Sequence, residues 1–260
     1  VALAFEGDGA GAVESVNDLD DYGRFYAGLK KTKSVAIIGA GLIGCEFAND
    51  LASRRIKACV VDPAAWPLSR LLPEIAGRLF AAGLEAQGVE FRFGVSAKGV
   101  WKADGGYRIE LSDGRRIVAD KILSAIGLRP RTALARAAGI ACQRGIIANR
   151  FLETNIPGIH AMGDCVEIAG LNLPFVRPIM HQAAALARPL SGTPTPLGYP
   201  AMPVVVKTPA CPAVICPPAA GAEGTWQCQP VDGGLQACFK SPDGELLGFA
   251  ANRMLELKFS

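Results

Sequence analysis

The chain has 260 residues, of which 50% are apolar, and this is enough for two ordinary domains with a sizeable buried core. Its formal net charge of +3 is too small to favour a nucleic-acid partner, and the local basic group Lys30, Lys31 and Lys33 is typical of a solvated helix end. The sequence shows neither the pattern of a secretory signal nor that of a membrane span. Eight cysteines in such a chain favour free thiols over disulfides, so we expect a cytoplasmic protein.

The first predicted elements alternate between helices and strands. Residues 17–31 begin with Asn and Asp and end with lysines, which predicts a helix because this polarity suits the helix dipole. Short apolar runs and helix-period segments then follow one another, with strands predicted at 35–39, 57–62 and 89–94 and helices at about 42–53 and 73–87. This order predicts a βαβαβ unit with a parallel sheet.

The next elements change in character. The segment "YRIELSDGRRIVAD" alternates apolar and polar residues on both sides of Asp113-Gly114, which predicts a small antiparallel meander before a core strand at 121–127. Further along, "GIHAMGD" is predicted to be a strand and "PIMHQAAALA" a helix that opens at Pro178. The Pro-rich and then strand-like end of the chain predicts a separate small α+β domain.

The turn "GAGLIG" joins the first strand of the unit to its helix. In this motif Gly39 allows a tight turn, Gly41 lets a pyrophosphate approach the backbone, and Gly44 lets the helix pack close to the sheet, with Leu42 and Ile43 completing the turn. An ordinary glycine-rich turn is the alternative. Asp62 follows Gly39 by 23 residues, close to the spacing of about 20 expected for a carboxylate on the adenosine ribose. Such an anion would repel a 2′-phosphate, so we expect NADH to be preferred over NADPH.

Several motifs resemble those of a known family. The segments "GAGLIGCEFA", "SAIGLRPRT" and "IHAMGDC" resemble, in this order, the pyridine nucleotide-disulfide oxidoreductase superfamily of FAD-dependent reductases. Within it the chain is most similar to the rubredoxin-NAD(+) reductases, through "GLIGCEFANDL", "LSDG", "GLNLP" and "MPVVVKTPACP". The first motifs are shared by many such reductases, whereas "VKTPACP" is more specific to the electron acceptor.

The resemblance implies an α/β fold, in which a Rossmann-like NAD domain with an inserted antiparallel meander is itself inserted in a split FAD-binding domain. It implies FAD and NAD(H) as cofactors, rubredoxin as the partner that receives electrons, and alkane oxidation as the pathway. Four domains are expected on this basis: a remnant of the FAD domain with a connecting helix (1–31), the NAD(H)-binding domain (32–149), the second part of the FAD domain (150–192) and a C-terminal interface domain (193–260). Within residues 1–34 the glycine-rich segment "EGDGAGA" has neither a suitable strand pattern before it nor an amphipathic helix pattern after it, as an FAD turn would need, so we expect either a piece of a longer polypeptide or an incomplete flavin site.

The resemblance also assigns site residues. It implies that Asp164 accepts a hydrogen bond from the ribityl chain of FAD, and that Gly127 lets the nicotinamide half of NADH pass the backbone. It implies catalytic roles for Glu46, near the nicotinamide, and for Lys207, beside the flavin pyrimidine, where a cation would stabilise reduced flavin. The alternatives are a turn aspartate, a strand-end turn, a helix-surface glutamate and a lysine at a strand edge.

Other reactive side chains receive structural interpretations. Cys211 and Cys216 have the spacing of a redox disulfide but lie in the Pro-rich segment, where buried thiols are the favoured interpretation. His160 and His181 are interpreted as structural, and no cysteine or histidine spacing predicts a metal site.

Two classes of function stay open at this stage. Within the enzymes, the alternatives to a rubredoxin reductase are an NADH oxidase, a ferredoxin reductase or the flavoprotein of a nitrite-reducing enzyme. From another class, the chain could be a flavin-free NAD-binding module. Bound flavin, visible in the absorption spectrum, discriminates the two classes.

Overall fold

A computed structural model of the protein describes residues 4–190, 192–193, 195–219 and 221–253. These residues fall into two compact units. The first unit comprises Val1–Gly127 together with Pro203–Ser260, and the second comprises Leu128–Met202.

The first part of the first unit is an α/β layer structure. In chain order it contains β1 (Val13–Ser15), α1 (Leu19–Gly28), β2 (Ser34–Ile38), α2 (Leu42–Ser53), β3 (Lys57–Asp62), α3 (Glu74–Glu85), β4 (Glu90–Phe93), β5 (Ala97–Ala103), β6 (Gly106–Leu111), β7 (Arg116–Ala119) and β8 (Lys121–Ser124), with 3₁₀ turns at Ala10–Ala12 and Leu29–Lys31.

A five-stranded parallel sheet forms the centre of this part, in the order β1-β8-β2-β3-β4. Strand β2 lies in the middle, and its residues Val35–Ile38 are buried, as a continuous apolar run in a parallel sheet requires. The predicted βαβαβ order is confirmed. Strand β1 shares this sheet, so residues 13–15, expected to belong to a flavin-domain remnant, pair with β8 here.

The predicted meander is also confirmed. Strands β5, β6 and β7 form a separate antiparallel sheet in that order. The turn between β6 and β7 contains Gly114 at a φ of +82°, a conformation that glycine adopts without steric cost. The Gly114 N–H donates to the Leu111 carbonyl at 3.0 Å and closes this turn.

The second unit contains α4 (Ala133–Ala137), β9 (Ile146–Ala148), β10 (Val166–Ile168) and α5 (Val176–Leu190), with β9 and β10 parallel. The strand predicted at 158–164 is wrong. Gly158 and Gly163 have φ values of +77° and +90°, which break an extended run, and only His160 makes an isolated bridge, to Glu153. Helix α5 begins at Val176 rather than at Pro178, because the N–H groups of a first helical turn need no intrahelical acceptor.

The second part of the first unit is a five-stranded antiparallel sheet. Its strands are β11 (Val204–Val206), β12 (Ala213–Cys216), β13 (Thr225–Val231), β14 (Gly234–Lys240) and β15 (Leu246–Arg253), in the order β11-β12-β15-β14-β13. An α+β domain is predicted here, but residues 203–219 and 221–253 contribute strands without a helix. The helical layer comes from α3 instead, because buried residues of α3 and of this sheet belong to one apolar core. The last two residues of the predicted strand "LLGFAANRML" lie outside the described residues.

The longest helix of the described residues, α5, has 15 residues. Within the described ranges, no helix is both long and apolar enough to cross a membrane.

Candidate nucleotide-binding site

The glycine-rich turn connects the carboxyl end of β2 to α2. Gly39 has a φ of +110°, a backbone conformation that favours glycine. At Gly44 a Cβ atom would lie 2.0 Å from the Gly39 carbonyl oxygen, so any side chain there would push α2 away from the strand. These two glycines therefore allow the helix to start directly against the sheet.

Helix α2 presents its amino terminus at this turn. Gly41 is the N-cap residue, and a Cβ atom at this position would meet no atom within 4 Å. Leu42 and Ile43, which follow, are half-buried in the first helical turn. The N–H groups of a first turn have no intrahelical acceptor and carry the positive end of the helix dipole. The open space above Gly41 therefore suits an anion such as a pyrophosphate.

Asp62 ends β3 next to the same turn. Its Oδ2 accepts a hydrogen bond from the Ala40 N–H at 2.6 Å, and its Oδ1 accepts one from the Ala64 N–H at 2.8 Å. The half-buried carboxylate thus fixes both the glycine-rich turn and the loop after β3. Each carboxylate oxygen can accept a further hydrogen bond, so ribose hydroxyls can still be bound.

The end of β8 lies on the other side of the turn. The Ala125 N–H donates to the Ile38 carbonyl at 2.7 Å, which continues the pairing of β8 with β2. Gly127 follows with a φ of +111°; it is exposed, and a Cβ atom there would meet no atom within 4 Å. The glycine-rich turn, Asp62 and Gly127 therefore lie at the carboxyl ends of the neighbouring strands β2, β3 and β8, where open α/β sheets bind their ligands.

Glu46 and Lys207 are brought together, although through a backbone atom. Glu46 lies on α2, and its Oε1 accepts a hydrogen bond from the Lys207 N–H at 2.9 Å, just after β11. The Lys207 side chain is exposed. One turn further along α2, the Oδ1 of the buried Asn49 accepts from the Ala210 N–H at 3.2 Å. Asn49 was not predicted from the sequence, where the available signal is a polar residue three positions after Glu46, on the same side of α2.

Asp164 lies in the second unit, on an exposed loop between Gly163 and β10. Gln182 of α5 is 1% exposed; its Oε1 accepts from the Gly163 N–H at 2.6 Å, and its Nε2 donates to the Tyr199 hydroxyl at 2.7 Å. Asn172 donates to the Asp164 carbonyl at 2.8 Å. Sequence reasoning missed both amides, which fix the loop backbone that carries Asp164.

Asn172 also carries an amide oxygen, Oδ1, beside the Asp164 loop. Within the described part of the chain, Oδ1 of Asn172 is buried and has no hydrogen-bond partner. A ligand with hydroxyl donors beside the Asp164 loop would satisfy such an atom.

The thiols of the C-terminal segment are buried. Cys211 is completely inaccessible, and its Sγ lies 3.0 Å from the position that a Cβ on Gly83 of α3 would take. Burial raises the pKa of the Cys211 thiol to about 11, which disfavours the nucleophilic thiolate. Cys216 is also buried. Among the described residues, no three His, Cys, Asp or Glu side chains gather as a metal site would require.

Comparisons with known proteins match most of the chain. The family model described as pyridine nucleotide-disulphide oxidoreductase matches residues 1–187, and the one described as rubredoxin binding C-terminal domain matches residues 196–254. The rubredoxin-NAD(+) reductase of Alcanivorax borkumensis is 50% identical over 246 residues, covering 94% of this chain and 64% of that protein. The nitric oxide reductase FlRd-NAD(+) reductase of Aeromonas salmonicida is 41% identical over 242 residues, covering 93% and 62%.

A solved structure has the same fold. The ferredoxin reductase for the CYP199A2 system from Rhodopseudomonas palustris matches with a TM-score of 0.81 at 24% identity, over 90% of this chain and 60% of that one. The chain therefore spans less than two thirds of the length of each of these relatives.

Proposed function

Because the chain belongs to the pyridine nucleotide-disulphide oxidoreductase family, we propose that it is part of a flavoprotein reductase that oxidises NADH and passes the electrons through FAD to rubredoxin. The observation that carries this proposal is the pairing of two features on one chain. A glycine-rich helix start with Asp62 beside it suits a dinucleotide, and residues 196–254 match a rubredoxin-binding domain.

The chain's own residues would bind NADH as follows. Gly39, Gly41, Leu42, Ile43 and Gly44 place the first-turn N–H groups of α2 against the pyrophosphate. Asp62 accepts hydrogen bonds from the adenosine ribose and repels a 2′-phosphate, which selects NADH over NADPH. Glu46 and Gly127 lie towards the nicotinamide half.

Two further residues would serve FAD, which supplies a hydride acceptor able to release electrons singly when it is bound. Asp164 accepts a hydrogen bond from the ribityl chain, and the orphaned Oδ1 of Asn172 beside its loop supports a polar ligand there. Lys207 stabilises negative charge near the flavin pyrimidine, which its exposed ammonium group allows. In this proposal residues 32–149 bind NAD(H), residues 150–192 are the second part of the FAD domain, and residues 193–260 receive the acceptor, with residues 1–31 connecting to the FAD domain.

The cellular setting is part of the proposal. The eight cysteines are free thiols, which supports a reducing compartment such as the cytoplasm. Alkane oxidation is proposed as the pathway, on the likeness to rubredoxin reductases.

A second acceptor is favoured by one observation. The likeness to a nitric oxide reductase FlRd-NAD(+) reductase, at 41% identity, supports FlRd as the alternative partner. An NADH oxidase, a ferredoxin reductase and a nitrite reductase flavoprotein remain alternatives, and a flavin-free NAD module is the alternative of another class.

The test uses the purified full-length protein. We expect visible flavin absorbance and NADH-dependent reduction of rubredoxin, with NADPH much less effective and with ferredoxin and oxygen as poor acceptors. A colourless protein that still binds NADH would support the flavin-free module. Faster reduction of FlRd or of oxygen than of rubredoxin would overturn the acceptor assignment.

One variant tests the nucleotide site itself. Gly41→Ala meets no atom of the protein within 4 Å, so the fold should be unchanged, but the new methyl group would occupy the space proposed for the pyrophosphate. The Kd for NADH should rise by roughly tenfold or more, since about 1.4 kcal/mol of lost contact is tenfold. Gly11→Ala, equally free of contacts, is the control and should leave the Kd unchanged.

A further inference from the structure

The loop Lys207–Cys211, which we call the lysine loop, is fixed by hydrogen bonds at both ends. Its Lys207 N–H donates to Glu46 and its Ala210 N–H donates to Asn49, both on α2. The Cys211 N–H donates to the Thr208 carbonyl at 2.9 Å, and the Thr208 hydroxyl donates to the Cys211 carbonyl at 2.8 Å. The backbone donors at Lys207, Ala210 and Cys211 are thus all used to fix the loop, two of them by side chains of one helix.

The same loop is seated against a second helix. Cys211 is completely buried, and its Cβ and Sγ lie 2.8 and 3.0 Å from the position of a Cβ on Gly83 of α3. Thr208 is 1% exposed. A loop that is anchored to α2 by hydrogen bonds and packed against α3 through the buried Cys211 has little freedom to move independently of these helices.

Helix α2 therefore connects two places that the proposed reaction uses. Its first turn adjoins the open space at Gly41, and its next turns carry Glu46 and Asn49, three residues apart on one face. A displacement or ordering of α2 by a bound dinucleotide must be transmitted to the acceptors of Lys207 and Ala210.

We propose that Asn49 is a positioning residue that couples dinucleotide binding at the start of α2 to the placement of Lys207; this inference rests on the proposed function of Lys207 beside the flavin. Asn49 is the stronger of the two acceptors for this purpose because it is only 6% exposed, whereas Glu46 is half-buried and can exchange its partner for water. The coupling is reciprocal, so a loop released from Asn49 also weakens dinucleotide binding.

The variants separate coupling from general loosening of the fold. Asn49→Leu keeps the volume and removes the acceptor, together with the Nδ2 that donates to Asp50 Oδ1 at 3.3 Å. Asn49→Asp retains an oxygen that can accept from Ala210, and it is combined with Asp50→Asn so that two carboxylates do not face each other. The matched control is Asn252→Leu, because Asn252 is 5% exposed and donates to the Ala76 carbonyl of α3 at 3.2 Å. That bond also joins the C-terminal sheet to a helix of the same unit but does not touch the lysine loop.

Hydrogen–deuterium exchange of the Ala210 amide in the full-length protein, with and without NAD⁺, reads the coupling directly. We expect NAD⁺ to slow exchange in the wild type and in the double variant Asn49→Asp with Asp50→Asn. In Asn49→Leu we expect exchange to be roughly tenfold faster, as one lost hydrogen bond predicts, with the NAD⁺ effect abolished. No effect of NAD⁺ on Ala210 in the wild type, or the same acceleration in Asn252→Leu, would overturn the proposal.

The flavin reduction potential supplies the second readout. Asn49→Leu should shift the potential in the same direction as Lys207→Met, and it should add no shift in the Lys207→Met background, because residues that act through one another are not additive. Additive shifts would refute an action through Lys207. Failure of the proposed function would be seen separately, as a wild-type protein that does not reduce rubredoxin, and the exchange measurement with NAD⁺ would still decide the coupling.

Discussion

Asp62 has a structural duty in addition to its proposed contact with the ribose. Its two oxygens accept the N–H groups of Ala40 and Ala64, so the side chain holds the turn through which the pyrophosphate would be bound. The sequence spacing predicted the carboxylate but could not predict these two hydrogen bonds, because they depend on how the loop after β3 folds back. Changes at Asp62 should therefore affect stability as well as specificity.

Replacing Asp62 by Ala together with Pro63→Arg should change the nucleotide preference. Pro63 is exposed, so an arginine there has room to meet a 2′-phosphate. The ratio of kcat/KM for NADPH over NADH should rise by on the order of ten- to a hundredfold, as a gained charged hydrogen bond predicts. Unfolding free energy should fall by about 1–3 kcal/mol, since two backbone donors lose their acceptor.

The single variants Asp62→Ala and Pro63→Arg are the controls for this experiment. Asp62→Ala alone should show the stability loss, and Pro63→Arg alone should not. An unchanged nucleotide preference in the double variant would show that Asp62 is not at the ribose.

Cys211 gives a pH dependence with a definite sign. Its pKa in the folded protein is raised from 9.0 to about 11 by burial, so the folded state keeps a proton that the unfolded state releases. The contribution of the neutral thiol to stability is fully present below pH 9.0 and is lost as the pH rises through the folded value. The unfolding free energy of the wild type relative to Cys211→Ala should therefore be constant near neutral pH and decline by on the order of 2 kcal/mol at high pH.

Urea unfolding of both proteins across this pH range measures the difference, in which the other thiols cancel. A difference that does not change with pH would mean that the Cys211 thiol ionises equally in both states.

At the scale of elements, the parallel βαβαβ unit could be predicted because β2 and β3 contain continuous apolar runs and the helices have a helical period. The strand predicted at 158–164 could not be judged in this way, since its apolar residues lie between Gly158 and Gly163, whose positive φ values only the fold reveals. The helix glycines illustrate the same limit. The sequence cannot tell a glycine that is merely tolerated from one that makes room for a neighbour.

Gly23 of α1 and Gly83 of α3 allow a test of this distinction. Gly23 of α1 has no atom within 4 Å of a Cβ, so Gly23→Ala should stabilise the protein by up to about 1 kcal/mol through helix propensity alone. At Gly83 the same methyl group would lie 2.8 Å from the Cβ of Cys211, so Gly83→Ala should destabilise by about 1–3 kcal/mol. Thermal or denaturant unfolding measures both, and equal effects of the two substitutions would contradict the packing of the lysine loop on α3.

At the scale of the whole molecule, the C-terminal sheet belongs to the same compact unit as the proposed nucleotide-binding site. Phe80 and Leu84 of α3 share one buried core with Ile215, Leu235 and Ala237 of the sheet. Alternating apolar residues in a strand predict that one face is buried, but they do not identify the helix that covers it. For this reason the sequence suggested a separate C-terminal domain, whereas the core predicts that both segments unfold together.

The three tryptophans of the chain provide the test of this cooperativity, because Trp66, Trp101 and Trp226 all lie in the first unit. Trp66 precedes α3 and contacts Gly77, whereas Trp226 lies on β13 and makes an edge contact with Phe239 at 5.4 Å between ring centroids. Variants that retain only Trp66 or only Trp226 have phenylalanine at the other two positions. Urea unfolding of the two variants, followed by fluorescence, should give equal m values, and in each variant the fluorescence midpoint should coincide with the midpoint of far-ultraviolet circular dichroism. Because both signals are measured on the same variant, this comparison does not depend on the stability that the substitutions themselves remove. If the Trp226 signal were lost well before the circular dichroism changed while the Trp66 signal followed it, the sheet would be an independent domain and the shared core would not hold the two segments together.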